Sequence, residues 1–195
     1  PWVARRPNLL WWIYNQDTVG VLIALDGRRR WTYNFGYDAS KNSPEDFTKD
    51  RCAQIVRAAI GVPELDPAVR DVRVWQMQAR IAERLRVGRV FLAGDAAHPL
   101  PPTGGQGMNT AVGDVHNLCW KLALVLKGEA GDSLLDTYET ERLPVIRFNV
   151  EQSVRNARKM EAAGLGGIMR THEDFREADI ERMRAAIPQQ REHFE

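Results

Sequence analysis

RVGRVFLAGDAAHPLPPTGGQGMNTAVGDVHNLCWKLALVLK, residues 86–127, is the stretch that decides the fold. Within it, Arg89–Ala93 is a short apolar run bounded by Gly88 and Gly94, a pattern that predicts a strand buried on both faces. Asp95 falls where that strand runs out. A loop rich in proline and glycine follows from His98 to Gly107. Then Met108, Ala111, Val112, Val115, Leu118, Cys119, Leu122 and Leu126 recur at helical spacing. A helix from Met108 to Lys127 with so broad an apolar face, and with Trp120 and Leu124 off it, is expected to be buried on more than one side. Strand, acidic tip, loop and helix form one α/β unit.

Such a unit has a physical use. In open parallel sheets ligands collect at the carboxyl ends of strands, and Asp95 would present there an acceptor-only carboxylate suited to sugar or ribityl hydroxyls. The alternative for Asp95 taken alone is a strand-end residue capping the next turn. Gly104, Gly105 and Gly107 lack a Cβ, so backbone can approach a flat ligand and take positive φ where needed. A helix starting near Gly107 or Met108 would point free N–H groups and the positive end of its dipole back at the loop. That favours an electron-rich or anionic ligand edge.

Gly94-Asp95-Ala96-Ala97-His98, Pro101-Pro102-Thr103-Gly104-Gly105-Gln106-Gly107-Met108-Asn109, then Asp114 and Asn117–Leu122, resemble the second FAD-binding motif of the flavin-dependent aromatic hydroxylases. That family includes the p-hydroxybenzoate, phenol and polyketide hydroxylases. The likeness continues through Leu134–Glu139 and Glu141-Arg142-Leu143-Pro144, and more weakly along most of the chain. It implies that Asp95 holds the ribityl chain and that the amides of Met108 and Asn109 meet the pyrimidine side of the isoalloxazine. Gly105 and Gly107 are the remaining expected cofactor contacts, with Pro102 at the border of the reactive edge. The implied cofactors are FAD and, as transient reductant, NADH or NADPH.

Composition sets the outer limits. The chain has 195 residues, 44% of them hydrophobic, and a formal net charge of +1 with both signs interspersed. Nothing there points to nucleic acid or a membrane surface, and no apolar stretch approaches the length of a transmembrane helix. Cys52 and Cys119 read as reduced core residues of a cytoplasmic protein, with no disulfide framework and no metal set. His98 has no partner carboxylate or Cys at ligand spacing, and His116 reads as a surface or supporting residue. No G-x-G-x-x-G turn occurs, so the chain reads as an internal or C-terminal piece of a larger enzyme.

Upstream, Leu9–Tyr14, Val19–Leu25 and Trp31–Phe35 predict a three-stranded meander, with Asp26-Gly27 as a hairpin turn rather than a functional Asp-Gly motif. Ser43-Pro44 predicts the start of a helix whose apolar face is Cys52, Ile55, Val56 and Ala59 and which Gly61 and Pro63 end. Val69–Trp75 and Gln76–Ala82 are expected as strands. By resemblance, residues 1–85 are the end of a substrate-binding sheet. The aromatic side chains Trp12, Tyr14, Trp31, Tyr33, Phe35 and Trp75 serve there as core or as pocket wall, and each alone reads as core. Residues 86–163 would be the C-terminal part of an FAD-binding domain. Ser133–Asp136 opens a helix toward Met160 that Pro144 should kink or break. Gly164, Gly166 and Gly167 end it. Residues 164–195 would be a helical linker with an apolar stripe of Ile180, Met183 and Ile187.

The expected fold class is mixed α/β: a partial Rossmann-like FAD-binding domain with part of a β-sheet substrate domain. The implied activity is FAD-dependent hydroxylation of a phenol-like ring with NAD(P)H and O2. The alternatives are a flavin epoxidase or halogenase, or a non-catalytic remnant or interaction module of the same fold. No general acid or base can be named. The implied partners are an aromatic small molecule and either a second copy of the chain or a complementing N-terminal chain.

Overall fold

A computed structural model describes residues 8–26, 29–164 and 177–186. The chain divides into two compact units, one of Pro1–Trp75 with Met160–Glu195 and one of Gln76–Lys159. Together they carry helices and two small sheets, a mixed α/β fold.

In the first unit β1 (Leu10–Tyr14), β2 (Val19–Ala24) and β3 (Trp31–Phe35) form the expected antiparallel meander in the order β1-β2-β3. Trp11 pairs with Leu22 and Leu22 with Tyr33, so Trp11, Leu22, Tyr33 and, two residues on, Trp31 and Phe35 share one face. Position 20, on that face, is a glycine because the Tyr33 ring crosses it: a Cβ there would stand 2.8 Å from the ring. The Tyr33 hydroxyl thereby reaches the Thr18 hydroxyl at 2.8 Å. Gly27 of the expected turn lies outside the described residues, but Asp26 accepts from the amides of Arg29 and Arg30, as a turn-forming Asp does.

The helix after the meander differs from expectation at its start. Ser43 opens only a one-turn 3-10 helix, Pro44–Asp46, in which the Asp46 carboxylate accepts from the Ser43 amide at 2.7 Å. The α-helix α1 (Lys49–Ile60) starts afresh, with Thr48 Oγ1 accepting from the Arg51 amide. Gly61 ends it in the left-handed conformation, φ 70°. Asn15 ties the sheet to α1 by donating to the Ala58 carbonyl.

In the second unit the chain departs most from the sequence pattern. The two-residue strands β4 (Arg86–Val87) and β5 (Val90–Phe91) form a tight antiparallel hairpin around Gly88, φ 58°. Val90 is 63% exposed, so Val90–Ala93 is not a strand buried on both faces. A buried strand needs neighbours on both edges, and among the described residues this one has β4 alone. Residues 69–82 contain no assigned strand. Among the described residues, Arg80 and Ala82 of this segment alone donate to a facing backbone, at Pro99 and Ala97, because side-chain pattern marks a half-buried surface but a ladder needs a partner strand.

Two long helices complete the unit, α2 (Gln106–Leu126) and α3 (Ser133–Ala162). Its core is Leu85, Ala97, Leu118, Tyr138, Ile146 and Val150. Tyr138 is fully buried and donates to the Leu92 carbonyl at 2.8 Å. α3 is not broken at Pro144. The proline sits on an exposed face, as does Thr140, whose carbonyl loses its helical donor and can turn to water.

Only part of the expected apolar face of α2 is the buried side: Leu118 is in the core and Leu122 packs against it. Thr110, Asp114, Leu118 and Lys121 face inward, while Met108, Val112, Val115, Cys119 and Leu126 are exposed. The inward polar groups meet charged partners on α3: Lys121 Nζ lies 2.8 Å from Glu141, and Arg142 Nε donates to Asp114 at 2.8 Å. Cys52 is buried as expected, whereas Cys119 lies on the exposed stripe. His116 is exposed. Beyond α3, Gly164 has φ 78° and packs near buried Met183 of α4 (Glu177–Ala186). Gly166, Gly167 and Ile187 lie outside the described residues.

Candidate functional site

The tip that carries Asp95 is a single 3-10 turn, Gly94–Ala96. The Gly94 carbonyl accepts from both the Ala97 and His98 amides, which winds the turn around it and leaves Asp95 exposed at the outside. Gly94 is required twice over. Its φ is 58°, and a Cβ would come 3.2 Å from that of Ala111 on α2.

From His98 the loop runs to the start of α2. Thr103 Oγ1, buried, donates to the Ser153 carbonyl at 2.6 Å and pins the loop to α3. Gly104 and Gly105 take positive φ, 97° and 65°; Gly107 does not, being ordinary helix. Gly105 is the N-cap and has no side chain to accept from the first-turn amides, so those N–H groups remain available. A Cβ at Gly105 or Gly107 would meet nothing within 4 Å. Met108 is 77% exposed, Pro102 is exposed, and the Asn109 side chain is occupied in donating to the Gly105 carbonyl at 2.9 Å. The expected contacts are thus brought onto one tip and one helix start. A groove of about 410 Å³ elsewhere in the unit is lined by Arg84, Arg86, Asp136 and Glu139 and touches none of them.

Beneath the tip lies a buried polar cluster that the sequence reading missed. Asp114 and His98 are both fully buried, and His98 Nε2 is 2.5 Å from Asp114 Oδ2. The same oxygen accepts from the Gly94 amide at 3.1 Å, and Oδ1 accepts from Arg142 Nε at 2.8 Å. Burial alone pushes the Asp114 carboxyl up, but the donors His98, Arg142 and Gly94 together bring it below its usual range. The signal was present: an Asp and a Lys on the inward face of an otherwise apolar helix must be paired if buried, and Glu141-Arg142 supplies the charges. Among the described residues no group of three or more His, Cys, Asp or Glu is placed to hold a metal, and no helix is long and apolar enough to cross a membrane.

Comparison with known proteins decides the family. The profile of the FAD binding domain matches residues 1–153. The chain belongs to the FAD binding domain family. It is 49% identical over 151 residues to a tetracenomycin A2 monooxygenase-dioxygenase of Streptomyces glaucescens, which covers 73% of this chain and 27% of that protein. The crystal structure of aklavinone-11 hydroxylase with FAD and aklavinone matches 76% of this chain and 28% of that one, at 41% identity and a TM-score of 0.66. That of the flavin-dependent monooxygenase PieE with FAD and substrate matches 95% and 34%, at 33% identity and a TM-score of 0.69. This FAD-binding-domain chain therefore spans about a third or less of the length of the proteins it matches.

The residues present fit a flavin. The open space over Gly105 and Gly107 admits a flat ring, the uncapped amides of α2 suit an electron-rich edge, and the exposed carboxylate of Asp95 suits hydroxyls.

Proposed function

We propose that this chain is the part of an FAD-dependent monooxygenase that holds the flavin, and that the whole enzyme hydroxylates a phenol-like aromatic ring using NAD(P)H and O2. When bound, FAD supplies the redox chemistry. The observation that carries the reading is the uncapped, glycine-flanked start of α2, open on its outer side, beside the Asp95 tip. Asp95 accepts from ribityl hydroxyls. The amides of Met108 and Asn109, at the positive end of a 21-residue helix, stabilise negative charge on the pyrimidine edge, and Gly105, Gly107 and Pro102 border the ring. The hydroxylases among the relatives support a phenol-like substrate, with residues 1–85 as part of the substrate domain, residues 86–163 as the cofactor part and 164–195 as a linker.

A complementing N-terminal segment belongs to the same proposal. The exposed stripe Met108, Val112, Val115, Cys119 and Leu126 is apolar surface that such a segment would cover. Titration of FAD into residues 1–195 alone, followed by flavin fluorescence, is expected to show weak or no binding. The full-length protein should bind FAD stoichiometrically and oxidise NAD(P)H in the presence of an aromatic substrate. A full-length protein that binds no FAD would overturn the reading.

A further inference from the structure

The Asp114 cluster joins three parts of the molecule that the cofactor reading needs in register. Its two tip partners, Gly94 and His98, flank Asp95 in sequence. Its third partner, Arg142, also donates from Nη2 to the Thr110 carbonyl at 3.2 Å, in the second turn of α2 just after Met108 and Asn109. Thr110 Oγ1 donates to the Gln106 carbonyl at 2.7 Å and accepts from Asn149 Nδ2 at 2.9 Å. Arg142, Asn149 and Ser153, the last holding Thr103 of the loop, recur along one face of α3. A mid-helix glycine makes room for the contact: a Cβ on Gly113 would lie 2.8 Å from Arg142 Nη2 and 3.2 Å from its Cζ. A helix under no such demand gains from alanine at that position. Stability alone does not call for the arrangement either, since apolar residues of similar volume commonly replace a buried charge pair without loss.

We infer that Arg142, acting through Asp114 and seated on Gly113, is a positioning residue that sets the Asp95 tip against the first turns of α2. The inference rests on the flavin reading for its purpose and on the hydrogen-bond geometry for its substance.

The test uses the full-length protein with Gly113→Ala, Arg142→Lys and Arg142→Met, and three readouts: FAD dissociation constant, melting temperature of the apoprotein, and amide hydrogen exchange at residues 94–98 and 106–110 against residues 146–157. Gly113→Ala keeps every charge and crowds the guanidinium off its seat. It should weaken FAD on the order of tenfold to a hundredfold, speed exchange at the tip and at the start of α2, and leave exchange in 146–157 at the parental value, with a smaller loss of melting temperature than Arg142→Met, which removes the guanidinium altogether. Arg142→Lys, able to keep one of the two contacts, should fall between parent and Arg142→Met. Unchanged exchange and unchanged FAD affinity in Gly113→Ala would overturn the inference. So would a uniform rise in exchange, which marks a purely structural pair. If the parent binds no FAD, the flavin reading fails by itself, and local against unchanged or uniform exchange still decides the clamp.

Discussion

Gly107→Ala separates a glycine kept for a ligand from one kept for the backbone. Gly107 is the second residue of α2, has helical φ, and a Cβ built on it meets no protein atom within 4 Å. Alanine is better than glycine in a helix by up to about 1 kcal/mol, somewhat less in the first turn. For a domain of this size that raises the melting temperature by up to about 2–4 °C. The added methyl would stand in the space assigned to the flavin. Overpacking of one methyl against a rigid partner costs about 1–3 kcal/mol, so FAD should bind roughly 5- to 150-fold more weakly, at about 1.4 kcal/mol per tenfold. Stability and affinity thus move in opposite directions, a signature that general damage cannot produce. The assay is a pair of measurements on the full-length protein, calorimetric melting of the apo form and fluorescence titration with FAD. Unchanged affinity would refute the placement of the flavin over Gly107. A lower apo melting temperature would refute the open space in which the Cβ is built.

Asp95→Ala should weaken FAD retention in the full-length protein by roughly 1.5–3 kcal/mol, the scale of a hydrogen bond to a charged group, and Asp95→Asn should cost less because the amide still accepts. Equal flavin retention by both variants and the parent after dialysis would remove the ribityl role. Gly105→Ala should lower stability through strain at φ 65°, in contrast to Gly107→Ala, and thermal melting compares the two. Acid stability should follow the two carboxylates of the α2–α3 contact. Asp114 and Glu141 are both held below their ordinary values, Glu141 at about 2 by Lys121 first and Asn117 next. Their contribution is complete above the ordinary carboxylate range and is lost as pH falls through the lowered values. Chemical denaturation between pH 5 and about 2 should show this loss, and Asp114→Asn, less stable throughout, should flatten it. On the alkaline side Tyr138, pushed up to about 12 by burial first and by the Asp114 charge next, favours the fold fully below about 10 and loses that preference as pH rises toward 12. Tyr138→Phe should remove this part of the alkaline slope.

The sequence by itself determined the meander, the long helices and the likeness to the FAD-dependent hydroxylases. Apolar residues at helical spacing locate α2 to within two residues at its start, strand-like runs with Asp26-Gly27 between them locate the meander, and the Gly94–Asn109 motif carries the FAD likeness. These are local signals, set by backbone sterics and by the repeat of one helix or strand. Tertiary structure decided what those elements face. Much of the apolar stripe of α2, Met108, Val112, Val115 and Leu126, lies outward while Asp114 and Lys121 sit inward beside Leu118, because Asp114 finds Arg142 28 residues away and Lys121 finds Glu141. Periodicity cannot reveal that, since it ranks faces by hydropathy and a buried charge is tolerated wherever its partner happens to be folded beside it. Val90–Ala93 and residues 69–82 depart from their sequence pattern for the related reason that a strand exists only when another segment pairs with it, and pairing is not written in the segment that is paired.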